Sequence, residues 1–436
     1  MRTKKRSHRI GLVSLGCAKN LVDSEKLMRQ LEAANYTLIF DPEDLSQIDT
    51  AIINTCGFIN DAKQESIDTI LRFAEARKAG KLSNLYVMGC LSERYKDQLQ
   101  KEIPETDAFF GVNDLEKIVR HLGGFWKNEL IGERKLTTPS HYSYLKIAEG
   151  CDRKCSFCAI PMIRGKHISR PMEEVLLEAE KLAGQGVREL NVISQDTTYY
   201  GLDLYKERRL PALMTNLAKV EGLEWIRLHY TYPDGFPVEL LQVIRDHPNI
   251  CNYVDIPLQH ISDRILRSMH RNISSDATRR LVRTIRETIP GVTLRTTLIV
   301  GYPGETEAEF GELKRFVEEA RFDRLGVFTY SREEDTPAFR LKDSVSEKSK
   351  KQRAAELMTI QENISGELNS EKIGTDVRVI IDRREGDYFI ARTSGDSPEV
   401  DNEVLIPAGN KPLKPGIFAN VTITAADAFD LFAELK

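Results

Sequence analysis

The sequence lacks any apolar run that approaches the roughly 18 consecutive residues of a membrane span. It lacks an excess of positive charge, because 62 basic and 66 acidic residues give a net charge of −4, and this excludes a chain-wide field for nucleic acid. Glycine and proline are few, 27 and 17 among 436 residues, which excludes collagen-like and disordered classes. We therefore expect a soluble, cytoplasmic, globular protein of roughly three domains at about 150 residues each, with no membrane partner.

Cysteine is also scarce, with seven residues, and an odd number argues against a scaffold of disulfides. The basic start, residues 1–9, precedes only about six apolar residues, which are too few for a signal peptide. In such a chain cysteines serve metal binding or catalysis more often than disulfide bonding, so their positions carry the information.

Residues 9–135 alternate short apolar runs with stretches of helical period, which predicts a doubly wound parallel sheet with helices on its faces. Three apolar runs, residues 10–15, 50–54 and 85–88, are each followed by a cysteine: Cys17, Cys56 and Cys90. Ligands of such sheets gather at the carboxyl ends of the strands, so we expect the three thiols at one edge. Taken alone, cysteines at strand ends are as often small buried apolar residues.

A second alternating series, within residues 141–370, contains six apolar runs separated by helical patterns. The runs are residues 144–148, 190–194, 225–230, 253–257, 294–300 and 325–330. This rhythm predicts right-handed βα units in a partial (β/α)6 barrel whose active face is the carboxyl edge of its strands. The polar stretch 346–371 at its end is expected to be a solvated helix or linker.

Residues 372–436 change to short strands between turns rich in glycine, proline and aspartate. They predict a small antiparallel β-barrel with strands at residues 377–381, 388–392, 403–406 and 418–424. Eight basic and eleven acidic residues give this part a net charge of −3, so it lacks the basic excess of an RNA-binding module.

The strongest local signal is a C-x3-C-x2-C loop, formed by Cys151, Cys155 and Cys158 directly after the first run of the second series. Three thiolates on one short loop can hold three irons of a [4Fe–4S] cluster, and the fourth iron then keeps an open coordination position for a ligand. Zinc is the alternative metal, although His167 is the one nearby candidate for a fourth ligand.

This loop, on the first strand of a six-fold βα domain, resembles that of the radical S-adenosylmethionine enzymes. The resemblance implies that S-adenosyl-L-methionine binds the open iron, and that an electron from the cluster cleaves its sulfonium bond to give a hydrogen-abstracting radical. It also implies that Phe157 lies near the adenine, and that Ser194, Gln195 and Asp196 lie near the methionine or ribose part of the cofactor.

With three cysteines upstream and a β-barrel downstream, almost the whole chain resembles the methylthiotransferases. The resemblance implies a second, auxiliary [4Fe–4S] cluster on Cys17, Cys56 and Cys90 within residues 9–135. It implies a radical domain with a trailing helical linker at residues 141–370, and a TRAM-like barrel at residues 372–436. One S-adenosyl-L-methionine would supply the methyl group and another the radical. Cys251 has no partner at motif spacing and is expected in the core.

Four segments resemble the branch of this family that modifies an aspartate of the twelfth protein of the small ribosomal subunit: residues 158–171, 195–201, 232–237 and 255–260. That branch replaces a β-carbon hydrogen with a methylthio group. It implies the ribosomal protein as partner, free or on the subunit, together with an electron donor and a sulfur donor, and no direct tRNA substrate. The acidic barrel agrees, because it suits a basic protein loop. The alternatives are the tRNA adenosine branch and a non-catalytic iron–sulfur or zinc adaptor bound to the ribosome.

A basic segment follows the cysteine loop and consists of Arg164, Lys166, His167 and Arg170. These side chains could contact an acidic substrate or the carboxylate of the cofactor. A solvated or helix-capping stretch explains the same pattern, so the residues alone leave both interpretations open.

Overall fold

The computed structural model of the chain describes residues 8–409 and 413–436, so residues 1–7 of the basic start lie outside the described part. The chain forms two compact units. The first comprises the residues up to Thr138, Tyr144–Asp152 and Ala159–Lys181, and the second comprises Pro139–Ser143, Arg153–Cys158 and Leu182–Lys436. Over the described ranges, no helix is both long and apolar enough to cross a membrane.

The first unit opens with alternating strands and helices. In chain order they are β1 (Arg9–Ser14), α1 (Ala18–Ala33), β2 (Thr37–Phe40), β3 (Thr50–Thr55), α2 (Asn60–Lys78), β4 (Asn84–Gly89), α3 (Cys90–Glu102), β5 (Ala108–Phe109) and α4 (Leu115–His121). The three predicted strands correspond to β1, β3 and β4. The strands β2 and β5 were not predicted, because β2 has four partly exposed residues and β5 has two residues, too few to show a period.

The five strands form one parallel sheet in the order β2-β1-β3-β4-β5. Successive residues of each central strand face opposite sides, so Ile53 of β3 packs into one core with α2 and α3 while Ile52 packs into another with α1 and α4. The predicted doubly wound sheet is therefore confirmed, with an apolar core on each face.

The elements after residue 138 continue the βα alternation. They are β6 (Tyr142–Lys146), β7 (Ala148–Glu149), α5 (Ile160–Arg164), β8 (Ile168–Ser169), α6 (Met172–Gly184), β9 (Glu189–Ile193), α7 (Leu210–Leu217), β10 (Trp225–Leu228), α8 (Glu239–Asp246), β11 (Tyr253–Asp255), α9 (Asp263–Ser268), α10 (Ser275–Thr288), β12 (Thr293–Val300), α11 (Glu307–Ala320), β13 (Arg324–Thr329) and α12 (Glu347–Ser370). Local sequence fixes several of these boundaries: α11, for example, starts behind a capping box in which Thr306 and Glu309 bond each other's backbone N–H groups.

The six predicted strands of this region are present as two parallel three-stranded sheets, β10-β9-β6 and β11-β12-β13. A single bridge joins the two sheets, in which the N–H of Cys251 donates to the C=O of Ile226 at 2.9 Å. The partial barrel is thus confirmed. The helix α12 corrects an expectation, because it is not a solvated linker: Lys350, Leu357 and Ile364 along it are buried.

The carboxyl-terminal strands form a closed barrel. They are β14 (Asp376–Glu385), β15 (Tyr388–Thr393), β16 (Glu403–Pro407), β17 (Phe418–Ala426) and β18 (Asp430–Leu435), in the order β14-β15-β16-β18-β17. The strand β18 was not predicted, and it pairs parallel to β16, so the barrel is not wholly antiparallel. Closure needs this fifth strand, because otherwise β16 and β17 would each present an open edge.

Candidate functional site

Cys17, Cys56 and Cys90 come together at one edge of the sheet in the first unit. Cys17 caps the amino end of α1 just beyond β1, Cys56 directly follows β3, and Cys90 directly follows β4. These three strands are adjacent and parallel, so their carboxyl ends lie side by side. The chain order of the sheet reverses between β1 and β3, and such a switch point leaves a crevice where ligands of doubly wound sheets bind.

Glycines beside the cysteines allow this convergence. A Cβ atom on Gly16 would lie 2.7 Å from the Cβ and 3.0 Å from the Sγ of Cys56, and Gly16 also has a left-handed φ of +89°. A Cβ atom on Gly57 would lie 2.8 Å from the backbone of Leu91, which follows Cys90. A side chain at position 16 would displace the Cys56 side chain, and one at position 57 would displace backbone, so the glycines set how closely the strand ends approach.

Asn20 was missed by the sequence reasoning. It lies in the first turn of α1, and its amide donates to the C=O groups of Leu15 at 2.9 Å and Thr55 at 3.0 Å, which ties the ends of β1 and β3. Its Oδ1 lies 3.7 Å from the Sγ of Cys90. The signal that could have revealed it is a C-x-x-N spacing at a strand end, because a buried amide there must pair with backbone groups.

Arg164 is the charged neighbour of this thiol group. Its guanidinium lies 3.6 Å from the Sγ of Cys90 and donates to Glu149 at 2.9 Å and Asp23 at 3.2 Å. Lys146 pairs with the same two carboxylates. Only 3% of Arg164 is exposed, so of the two interpretations left open for the basic segment, the solvated one does not apply to this residue.

The environment of the Cys56 and Cys90 thiols opposes their ionisation. Burial raises the pKa of the Cys90 thiol to about 12, although the nearby Arg164 guanidinium lowers it. Burial also raises the pKa of Cys56. Burial acts to lower the pKa of Arg164, but the carboxylates of Asp23 and Glu149 outweigh that effect and hold the pKa above its ordinary value. A metal centre bound here must therefore displace protons from the thiols, and it meets a permanent cation.

The C-x3-C-x2-C loop starts in the first unit with Cys151 and continues in the second with Cys155 and Cys158. The N–H of Cys151 donates to the C=O of Gly165 at 3.1 Å, and the N–H of Cys158 donates to the C=O of Cys155 at 3.1 Å in a tight turn. Both contacts fix the backbone of the loop next to its thiols.

Ser156 anchors the same loop within the second unit. Its hydroxyl donates to the C=O of Ser268 at 2.7 Å and lies 2.8 Å from the Tyr302 hydroxyl, while its N–H donates to the C=O of Met269 at 3.0 Å. Phe157 packs against Met269, Tyr302 and neighbouring apolar residues. The loop is therefore held by α9 and by the end of β12.

The sulfur of Cys155 has two polar neighbours that the sequence reasoning did not identify. The Tyr232 hydroxyl and the Arg271 guanidinium each lie 3.6 Å from it. The guanidinium groups of Arg271 and Arg153 stack on the Tyr232 ring at 4.0 and 3.9 Å. Asp196 accepts from Arg153 at 2.8 Å, so this predicted cofactor neighbour holds the loop in place.

Several buried polar atoms of the second unit have no hydrogen-bond partner among the described residues. They include the hydroxyl of Ser194, Oε1 of Gln259 and Nε of Arg271. Gln259 also has a left-handed φ of +74°, which is strained for a side chain other than glycine. Ser194 and Gln195 directly follow β9, which places them at the carboxyl edge of that strand. Buried unpaired polar atoms at this edge fit a polar ligand such as S-adenosyl-L-methionine.

No three histidine, cysteine, aspartate or glutamate side chains within residues 8–409 and 413–436 lie close enough to share one metal ion. Cys251 packs with Trp225 and Tyr253, as expected for a core residue.

The second unit also contains a buried Ser–His–Asp arrangement. Nε2 of His229 lies 3.1 Å from the Ser397 hydroxyl, and its Nδ1 lies 3.4 Å from Asp255. All three residues are at most 6% exposed. Because no substrate can reach a hydroxyl enclosed in this way, we assign the trio a structural role.

Three family models match the chain. The Radical SAM superfamily matches residues 145–317, the model described as "Uncharacterized protein family UPF0004" matches residues 9–111, and the TRAM domain matches residues 373–435.

Relatives match at high identity over almost the full length. The ribosomal protein uS12 methylthiotransferase RimO of Phocaeicola vulgatus is 56% identical over 427 residues, which cover 98% of this chain and 99% of the relative. The protein of the same name in Cytophaga hutchinsonii is 53% identical over 98% of each chain. That of Christiangramia forsetii is 54% identical over 100% of this chain and 96% of its own.

Solved structures share the fold at low identity. The radical S-adenosylmethionine methyltransferase TsrM of Kitasatospora setae, with cobalamin and a [4Fe–4S] cluster bound, matches with a TM-score of 0.54 at 15% identity, over 76% of this chain and 77% of its own. The cobalamin-dependent radical enzyme OxsB matches with a TM-score of 0.53 at 14% identity, over 76% and 54%. The predicted fold class is confirmed.

Proposed function

The chain belongs to the ribosomal protein uS12 methylthiotransferases, and from this membership we propose that it replaces a β-carbon hydrogen of an aspartate of uS12 with a methylthio group. The observation that carries the proposal is identity of 52–56% to uS12 methylthiotransferases over almost the whole chain. The tRNA adenosine branch is not favoured, because these full-length relatives are named for the ribosomal protein.

As a radical S-adenosylmethionine enzyme, the chain uses an iron–sulfur cluster and S-adenosyl-L-methionine. When bound, these supply an electron and a reactive carbon centre that removes hydrogen from an unactivated position. We propose two [4Fe–4S] clusters, one on Cys151, Cys155 and Cys158 and an auxiliary one on Cys17, Cys56 and Cys90. The convergence of the latter three at a sheet switch point supports the second cluster.

The side chains around these cysteines have distinct tasks in this proposal. Phe157 lies against the adenine, and Ser194 and Gln195 provide polar contacts to the cofactor at the end of β9. Ser156 keeps the loop fixed through Ser268 and Tyr302. The proposed division is an auxiliary-cluster domain at residues 9–135, a radical domain at 141–370 and a TRAM-like barrel at 372–436.

The partners follow from the reaction. The substrate is uS12, free or on the small subunit, and the reaction also needs an electron donor and a sulfur donor. A direct tRNA substrate is not expected, because the barrel has a net charge of −3 and tRNA binding depends on basic contacts to phosphate. Since uS12 is a ribosomal protein, we place the reaction in the cytoplasm.

Intact-mass spectrometry of ribosomal proteins, together with nucleoside analysis of tRNA, tests the function in cells with and without the gene. We expect uS12 to lose one methylthio-for-hydrogen increment in the deleted cells while the tRNA nucleosides stay the same. Loss of a methylthioadenosine with unchanged uS12 would refute the substrate and leave the reaction class intact.

A further inference from the structure

We propose that Arg164 is a positioning residue for the auxiliary cluster: it donates a hydrogen bond to the Cys90 thiolate and makes the cluster easier to reduce. This inference rests on the proposed function, because it takes Cys90 as a cluster ligand. It concerns a residue outside the cysteine motifs, for which the sequence suggested a contact with substrate or cofactor but no contact with a cluster sulfur.

The position of Arg164 is fixed from several sides. Its guanidinium makes contacts of 2.9 Å with both carboxylate oxygens of Glu149 and of 3.2 Å with Asp23, and it also donates to Oδ1 of Asn20. A side chain constrained in this way cannot swing away from Cys90. These contacts hold the guanidinium 3.6 Å from the sulfur.

Arg164 belongs to a charge-balanced set of four buried or half-buried groups, and it is the member that contacts the sulfur. Arg164 and Lys146 together carry two positive charges, and Asp23 and Glu149 carry two negative charges, so the four groups are already neutral as a set. The thiolates of a bound cluster add negative charge on the side of Cys90. Arg164 contacts that sulfur, whereas Lys146 donates hydrogen bonds to the carboxylates of Asp23 and Glu149.

A buried cation and its N–H group stabilise the more negative state of a cluster. Reduction adds one electron to the cluster and breaks no bond, so the reduced form carries one more negative charge beside the guanidinium. Hydrogen bonds to cluster sulfurs and the local charge are established determinants of cluster potential. The effect is large at this position because Arg164 is almost completely shielded from water.

The test uses the full-length chain with Cys151, Cys155 and Cys158 replaced by alanine, so that any cluster signal comes from the auxiliary site. The cluster is titrated with dithionite and followed by electron paramagnetic resonance. In Arg164→Met we expect the ratio of reduced to oxidised cluster at a fixed potential to fall about tenfold, which corresponds to a shift of about 59 mV for one electron. Lys146→Met is the matched control, because it removes a cation from the same carboxylates without touching a sulfur.

A shift in Arg164→Met that clearly exceeds the shift in Lys146→Met supports the proposal. Equal shifts, or none, overturn it, because Arg164 would then act only through the carboxylates. If Arg164→Met takes up no cluster, Arg164→Lys decides. Arg164→Lys keeps the positive charge but loses the planar group of N–H donors. The shift of the iron–sulfur stretching bands on hydrogen–deuterium exchange should therefore be smaller than in the parent chain. An unchanged shift overturns the proposal.

Failure of the ligand assignment gives a different result. Cys90→Ala in the same background should lose most of the remaining iron. If it keeps the iron and an unchanged spectrum, the proposed ligand is wrong, irrespective of what the Arg164 variants do.

Discussion

The two groups of three cysteines are built in opposite ways. Cys151, Cys155 and Cys158 lie within eight residues of chain, and local contacts such as those of Ser156 hold their loop. Cys17, Cys56 and Cys90 are separated by more than thirty residues at each step, and the order of a parallel sheet brings them together. Ligands that lie close together in the chain can be recognised from their spacing. Ligands that are distant in the chain can be recognised as one set only when the order of the strands in the sheet is known.

The charged surroundings differ as well. The Cys155 sulfur faces a phenol and a guanidinium that stack on each other, and the Cys90 sulfur faces a guanidinium held by two carboxylates. Both sites thus supply N–H donors to a sulfur, but they recruit them from unrelated parts of the chain. The difference suggests that each group can be disabled without disabling the other.

Exchanging single cysteines tests this independence and has the largest expected effect. Cys155→Ala should abolish reductive cleavage of S-adenosyl-L-methionine, to below about 1% of the parent rate, because one ligand of the loop cluster is lost. Cys56→Ala should retain cleavage and lose methylthiolation. Each variant should lose about half of the iron. Cleavage by chromatography and iron by colorimetry provide the measurements.

Cys251→Ala is the matched control, because Cys251 is a buried cysteine within an apolar cluster. It should keep both activities and the full iron content. Unchanged cleavage in Cys155→Ala would eliminate the loop cluster, and equal loss of cleavage in both variants would contradict the independence of the two sites.

Gly57→Ala should distort the auxiliary site through a steric clash alone. The added Cβ would lie 2.8 Å from the backbone of Leu91, so β3 or α3 must shift and Cys56 moves relative to Cys90. We expect a loss of about 2 kcal/mol in the free energy of unfolding of the cluster-free protein, measured in urea, and weaker iron uptake. In Gly184→Ala the new atom meets open space, so stability should stay within about 0.5 kcal/mol. Equal effects in the two variants would refute the close approach.

Alkaline pH should destabilise the cluster-free protein through Cys90. Its pKa is about 12 in the folded chain and near 9 when unfolded, so between these values the unfolded state releases the proton first and stability falls as pH rises. From pH 9 to 10.5 the parent should lose about 2 kcal/mol more than Cys90→Ala, as measured by urea unfolding at each pH. Parallel slopes for the two proteins would show that Cys90 is not desolvated.

Ser156→Ala should have the smallest effect, on the loop alone. It removes the hydrogen bond to the C=O of Ser268, but the Tyr302 hydroxyl still donates to that oxygen at 2.9 Å. We expect a loss of about 1 kcal/mol in the free energy of unfolding and faster loss of the loop cluster in air. Ser370→Ala, an exposed serine of α12, should change neither quantity. Equal stability of the two variants would show that Ser156 does not hold the loop.

The sequence by itself determined the loop of Cys151, Cys155 and Cys158, the βα rhythm and the closing β-barrel. Each of these depends on residues that are close in the chain, where spacing and period are direct consequences of local geometry. The sequence did not predict the short strands β2 and β5 or the parallel strand β18. These strands are stabilised by the strands they pair with, and they have no clear local pattern.

Only the tertiary structure decided which buried polar groups meet the thiols. Asn20, Arg164, Tyr232 and Arg271 lie in helices and loops, and no sequence pattern indicated that they contact a cysteine sulfur. Their role appears when packing removes water and forces each charge or amide to find a partner, which for Arg164 are two carboxylates and a sulfur from other strands and helices. The positions of the cysteines along the chain identify the proposed cluster ligands, and burial determines which polar side chains surround their sulfurs.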